Sequence, residues 1–167
     1  MFPEVSAIKC TTYLGLGTNV GERSDNLLRA ISLISNNVGE VINTSPVYKT
    51  SAWGVTDQPD FYNQVIEVST EKLPWNVLEI LLAIEHQMGR VRAQKWHERL
   101  IDIDILFFEK IILSSDNLTI PHPFIKERMF VLKPLADLDS DYLHPVYKKT
   151  ISQLVRECHD DTTINLR

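Results

Sequence analysis

Two aspartates, Asp102 and Asp104, interrupt an otherwise apolar run, LIDIDILFF, at residues 100–108. An unpaired carboxylate is costly in a strand that reads as buried, so this pair needs a partner. Alternation along a strand puts Ile101, Ile103 and Ile105 on one face and both aspartates on the other. Residues two apart lie roughly 6.5–7 Å apart along a strand. That span suits two Mg²⁺ ions about 3.5–4 Å apart, each held by a carboxylate with phosphate and water oxygens. Two solvated aspartates paired with Arg99 or Lys95 are the plainer alternative. Immediately upstream, GRVRAQKWHER supplies Arg90, Arg92, Lys95 and Arg99, and downstream IPHPFIKER supplies His122, Lys126 and Arg128. Cations gathered beside metal-binding carboxylates predict a polyphosphate site, with a solvated basic loop as the alternative. A second subsite is read from DFYNQV, where Phe61 and Asn63 share a strand face. A flat ring stacked on Phe61 would meet an amide that both donates and accepts; core packing is the competing use of that pair.

These groups need elements to hold them. CTTYLGLG (10–17) reads as a first strand, and SDNLLRAISLI as a helix with Leu27, Ile31 and Ile34 on one face behind Ser24 or Asp25 as N-cap. Residues 41–50 and 60–68 read as strands joined by a long loop, SAWGVTDQP, of the kind that carries function. Pro74 opens a second helix whose Val77, Leu81, Ile84 and Met88 face the core, with Gly89 as the glycine that ends it. LIDIDILFF is the next strand, followed by a short IIL strand and the SSDN turn. MFVLKPLADL reads as a helix despite Pro134, and Thr150 with Gln153 forms a capping box for the last helix, ISQLVREC. The order β-α-β-β-α-β predicts an α+β, ferredoxin-like (split βαβ) fold: an antiparallel sheet with helices packed on one face and C-terminal additions. The other face would be free to bind a ligand. No linker, repeat or low-complexity tract divides the chain, so residues 1–167 are expected to form a single domain.

Composition narrows the chemistry. With 17 basic and 22 acidic residues the net charge is −5, which argues against a general nucleic-acid binder. No apolar run approaches a membrane span and the N-terminus lacks a signal-peptide pattern, so a cytoplasmic protein is expected. Cys10 and Cys158 have no metal or redox spacing and read as reduced thiols. There is no P-loop and no kinase signature set. Gly15, Gly17 and Gly21 miss the dinucleotide fingerprint and read as a tight strand-to-helix turn.

Taken in order, LGTNVG, SPVYKTSAWGVTDQPDFYNQV, GRVRAQKWHERLIDIDIL and IPHPFIKERMFVLKPLADL resemble the 6-hydroxymethyl-7,8-dihydropterin pyrophosphokinase family, from about Tyr13 to Pro145. The resemblance implies a monomeric, Mg²⁺-dependent enzyme of folate synthesis using two ions. It would transfer the β,γ-diphosphate of ATP to the pterin hydroxymethyl group and release AMP. Position by position, Asp102 and Asp104 look like the metal ligands and, with Arg90 and Arg92, the catalytic set. Gln58, Glu85, Lys95, Trp96, Arg99, Ile105, Leu118, Thr119, His122 and Arg128 look like ATP contacts. Thr50, Ser51, Trp53, Phe61, Asn63, Trp96 and Phe130 look like pterin contacts, with the ring between Phe61 and Phe130. In that family the two long loops close over the substrates.

This chain departs from the family in reading His97, Glu98, Arg99, Leu100 where many members have Gly-Pro-Arg-Thr. It also has Lys95 where arginine is frequent, and Trp53 where a smaller aliphatic is common. Two other classes fit the sequence less well. A polymerase-β-type nucleotidyltransferase needs a Gly-Ser turn before the carboxylates, which is missing. A ferredoxin-like RNA-binding module is disfavoured by the charge and by two acids on its binding face.

Overall fold

The computed structural model describes residues 8–51, 59–89 and 100–167. Eight strands and four α-helices are found among them. In chain order they are β1 (Cys10–Thr18), α1 (Arg23–Asn37), β2 (Glu40–Thr44), β3 (Tyr48–Thr50), β4 (Phe61–Thr70) and α2 (Pro74–Gln87). These are followed by β5 (Asp102–Phe108), β6 (Leu113–Ser114), β7 (Thr119–Ile120), α3 (Met129–Asp139), α4 (Ile151–Glu157) and β8 (Ile164–Leu166). Six strands form one antiparallel sheet in the order β5-β1-β4-β3-β8, with β2 also pairing β4, while β6 and β7 form a separate ribbon.

Local chemistry explains most boundaries. Proline at the first turn of α2 sacrifices an N–H that has no partner there. Gly89 then takes φ +99°, a conformation cheap only for glycine, and stops the helix. The Thr150–Gln153 capping box is present in full, each residue bonding the other's backbone amide, so α4 starts where expected despite having only seven residues. Asp139 ends α3, whose internal Pro134 is accommodated.

Several expectations need correction. Helix α1 begins at Arg23, so Ser24 and Asp25 lie in its first turn, and Glu22 stands at the N-cap without a side-chain bond. The predicted strand 41–50 is two strands, broken where Pro46 removes a donor and Ser45 turns its hydroxyl to accept from the Val65 amide (3.0 Å). Gly15 and Gly17 are not in a turn but inside β1, and only Gly21, at φ +64°, has turn geometry. Strand β8 was not anticipated at all.

The sheet is covered on both faces. Leu27, Ala30 and Ile34 of α1 and Val77, Leu81 and Ile84 of α2 pack on Leu14, Leu16, Ile66, Ile103 and Ile105. On the opposite face Val131, Leu132 and Leu135 of α3 and Ile151 and Leu154 of α4 pack on Tyr13, Val65, Leu106 and Phe107. The face expected to be wholly free is therefore half occupied, because α3 and α4 are amphipathic and need apolar surface to bury. The remaining half of that face carries the aspartates.

Candidate active site

Strand register assembles the site. Gly17 of β1 is paired with Asp102 on one side and with Asn63 on the other, and Gly15 is paired with Asp104. On the next strand Thr50 is paired with Phe61 and Tyr48 with Asn63. Side chains directly opposite one another in a sheet project from the same face. Asp102, Asp104, Asn63, Phe61 and Thr50 therefore share the face left open by α3 and α4. The isoleucines between the aspartates point into the core under α1 and α2, with Ile103 and Ile105 both 5% exposed.

Asp104 is the point of convergence. His122 Nε2 and Arg128 Nη1 each lie 3.8 Å from Asp104 Oδ2, brought there by the segment between β7 and α3. At that separation neither is a well-formed hydrogen bond, and the Arg128 contact is the ionic one. His122 Nδ1 accepts the Phe124 amide at 3.3 Å, which leaves Nε2 as the side of the ring turned to the carboxylate. Burial, reinforced by the Arg128 charge and opposed by Asp102, pushes the His122 pKa down from 6.5 to about 4. The ring is then neutral near pH 7. The Arg128 guanidinium sits 5.1 Å from the Phe124 ring centre and 5.8 Å from that of Phe130, so two aromatics flank it.

On the other side of Gly17, Asn63 donates from Nδ2 to Thr50 Oγ1 at 2.6 Å, and both residues are buried. That bond leaves the Asn63 carbonyl oxygen turned toward Gly17. Ser51 is exposed, and its amide donates to Thr163 O just before β8. Phe130 is half-buried at the start of α3.

The remaining predicted residues divide into two groups. Glu85 is buried at the end of α2 and accepts the Ile103 amide at 2.8 Å, the amide between the two aspartates. Ile105 and Leu118 are buried in the cluster beneath α1 and α2, on the face opposite Asp104, and Thr119 is half-buried on β7. Trp53, Gln58, Arg90, Arg92, Lys95, Trp96 and Arg99 lie outside the described residues. Sequence reasoning missed two features. One is Gly17 as the residue between the carboxylates and Asn63, which strand register sets and no local pattern carries. The other is Phe124 beside Arg128, for which no spacing signal exists.

Similarity to known proteins follows the same segments. Residues 13–140 match the profile of the family described as 7,8-dihydro-6-hydroxymethylpterin-pyrophosphokinase. The chain is 37% identical over 147 residues to the 2-amino-4-hydroxy-6-hydroxymethyldihydropteridine pyrophosphokinase of Aquifex aeolicus, covering 88% of this chain and 91% of that protein. The enzyme of the same name from Methylorubrum extorquens is 42% identical over 130 residues, covering 77% and 82%. That of Haemophilus influenzae is 38% identical over 159 residues, covering 93% and 98%. Among solved structures, wild-type Plasmodium falciparum HPPK-DHPS with pteroate superposes with TM-score 0.74 at 21% identity over 90% of this chain. This chain spans 42% of that one, and the likeness is one of fold.

Proposed function

The chain belongs to the 7,8-dihydro-6-hydroxymethylpterin-pyrophosphokinase family, and from that premise we propose how its open sheet face is used. It transfers the diphosphate of ATP to the hydroxymethyl group of 6-hydroxymethyl-7,8-dihydropterin, in folate biosynthesis, with AMP as the other product. The pterin hydroxyl oxygen bonds to the β-phosphorus, the bond from that phosphorus to the α,β-bridging oxygen breaks, and the hydroxyl proton passes to water or to Asp104. The observation that carries this placement is one row of the sheet. Asp102, Gly17 and Asn63 are paired across three strands, so the carboxylates and the amide face the same space.

Within that space the pterin lies between Phe61 and Phe130, with Asn63, Thr50 and the backbone near Ser51 and Trp53 reading its edge. Arg128 and His122 face the triphosphate, and the cations of GRVRAQKWHER (Arg90, Arg92, Lys95, Arg99) with Gln58, Trp96, Glu85 and Thr119 complete the nucleotide side, to which Ile105 and Leu118, whose side chains are buried on the other face, can offer only backbone. For those in the basic segment the support is the motif alone. Catalysis is then mostly positioning and charge neutralisation.

The donor set fits magnesium. Two hard carboxylate oxygen donors stand on one strand face, with the Asp104 side chain 41% exposed. Among the described residues no three His, Cys, Asp or Glu side chains are placed to hold a metal ion together. That suits an ion held by one or two carboxylates and completed by phosphate and water, rather than by an all-protein cage. Asp102 and Asp104 would hold two such ions, which when bound neutralise phosphate charge and polarise the reacting phosphorus.

We further infer a ferredoxin-like arrangement, supported by the order β5-β1-β4-β3 with α1 and α2 as the crossovers on one face. Residues 1–167 are proposed to act as one pyrophosphokinase domain, monomeric and cytoplasmic. Two apolar clusters built on a single sheet support the single domain.

The test is product identity. Incubation of the protein with ATP, Mg²⁺ and 6-hydroxymethyl-7,8-dihydropterin should yield AMP in step with pterin consumption. Release of ADP, or no turnover, would overturn the assignment.

A further inference from the structure

We propose that Gly17 sets the shape of the pterin subsite: the absence of a side chain there keeps the floor between Asp102 and Asn63 open and the Asn63 amide in reading position. The inference deepens the function proposed above and rests on it. A methyl group built on Gly17 would stand 3.0 Å from Asn63 Oδ1 and 4.0 Å from Phe61 Cδ1. Those two side chains are the ones expected to read and to stack the ring. The first contact is tighter than ordinary van der Waals packing, so either the amide yields or the methyl does.

The amide has little freedom to yield. Asn63 is 7% exposed, and its Nδ2 is committed to Thr50 Oγ1 at 2.6 Å. Rotating Oδ1 away from position 17 would break that bond and tilt the donor and acceptor that the heterocycle must meet. Strand spacing of about 4.8 Å also places Gly17 one strand from Asp102 and one strand from Asn63. A flat ring can therefore lie against bare β1 backbone while its arm points at the carboxylates.

Folding does not demand glycine here. Among the described glycines only Gly21 and Gly89 have positive φ. Gly17 has ordinary strand geometry, and alanine is at least as favourable as glycine inside a strand. Gly15 serves as the internal comparison. It is also in β1, but the atoms nearest a methyl there belong to the flexible Leu106 side chain at 3.4–3.5 Å, ordinary van der Waals contact.

The experiment compares steady-state kinetics and thermal unfolding of wild type, Gly17→Ala, Gly15→Ala, Asn63→Ala and the Gly17→Ala/Asn63→Ala pair. Gly17→Ala is expected to raise KM for the pterin by about tenfold or more, which is ~1.4 kcal/mol. KM for ATP should stay unchanged, and the protein should still unfold cooperatively, no more than a few degrees below the wild-type temperature. Gly15→Ala should leave pterin KM unchanged. In the Asn63→Ala background the Gly17→Ala step should add little, because the group it crowds is gone. An unchanged pterin KM, equal losses for both substrates, full additivity in the pair, or loss of cooperative unfolding in Gly17→Ala would each overturn the proposal. Wild-type protein producing no AMP would instead overturn the functional assignment, so the two failures are distinct.

Discussion

At the scale of single residues, the site depends on charges that the sheet leaves half open. Asp102 and Asp104 are half-buried, with isoleucines rather than other acids filling the positions between and beside them. Replacing either by asparagine should lower turnover by at least about a hundredfold, ~2.7 kcal/mol of transition-state stabilisation, while circular dichroism stays native. Near-normal turnover in either variant would refute the metal-ligand assignment. Asp104→Asn should also cost some stability, since His122 and Arg128 face that carboxylate and Asp102→Asn leaves them their partner. Two histidines contribute to the response to acid, His122 in the site and His144 away from it. His144 is buried, and its Nδ1 accepts the amides of Val146 (3.2 Å) and Tyr147 (3.3 Å), which only an unprotonated Nδ1 can do. Burial pushes its pKa down from 6.5 to about 4. The unfolded chain thus binds a proton that the folded chain refuses, so this contribution is complete above pH ~6.5 and is lost as pH falls toward 4. It amounts to up to about 3 kcal/mol. Nitrogen chemical shifts should show His144 neutral and protonated on Nε2 at pH 5.5; a charged ring at that pH would contradict the assignment.

At the scale of elements, β5 is the strand that matters, and it lies at the sheet edge. An edge strand leaves alternate amides without a strand partner. Glu85 of α2 accepts one of them, Ile103 N, directly behind the two aspartates. Helix α2 thus holds the carboxylate-bearing strand as well as covering it. Glu85→Ala should destabilise the fold by about 1–3 kcal/mol by stranding that amide, and Glu85→Gln, which keeps an acceptor, should lose less than half as much. Equal losses for the two variants in denaturant melts would mean that the carboxylate does not anchor β5. The other edge is closed by β8, whose Ile164 pairs with Thr50, the residue that holds Asn63. No pattern in DDTTINLR announces a strand. Three residues suffice there because β3 supplies an edge already in register, and the same dependence on a neighbour explains why 41–50 splits at Pro46.

At the scale of the whole molecule, α1 and α2 on one face and α3 and α4 on part of the other leave one open end of the sheet for substrates. If ATP is held there through Asp102 and Asp104, it binds the folded chain alone. A non-hydrolysable ATP analogue at a hundred times its Kd with Mg²⁺ should then add about 2.7 kcal/mol of stability, raising Tm by roughly 5–10 °C. The shift should vanish with EDTA, and a shift of equal size in Asp102→Asn would argue against the site. Much of this was legible in residue order. Period-two isoleucines fixed which way the aspartates point. The i, i+4 stripe of α2 with Gly89 marked that helix, and Thr150 with Gln153 marked the start of α4. Such features are local, because strand alternation, helix periodicity and caps involve residues a few positions apart. Tertiary structure alone decided that α3 and α4 cover half of the second face, that β8 closes the edge beside Thr50, and that His122 and Arg128 meet at Asp104. It also decided that Gly17 stands between Asp102 and Asn63. Each of those is a meeting of segments distant in the chain, set by which apolar faces bury one another and by strand register, and neither quantity is written in any short stretch of sequence.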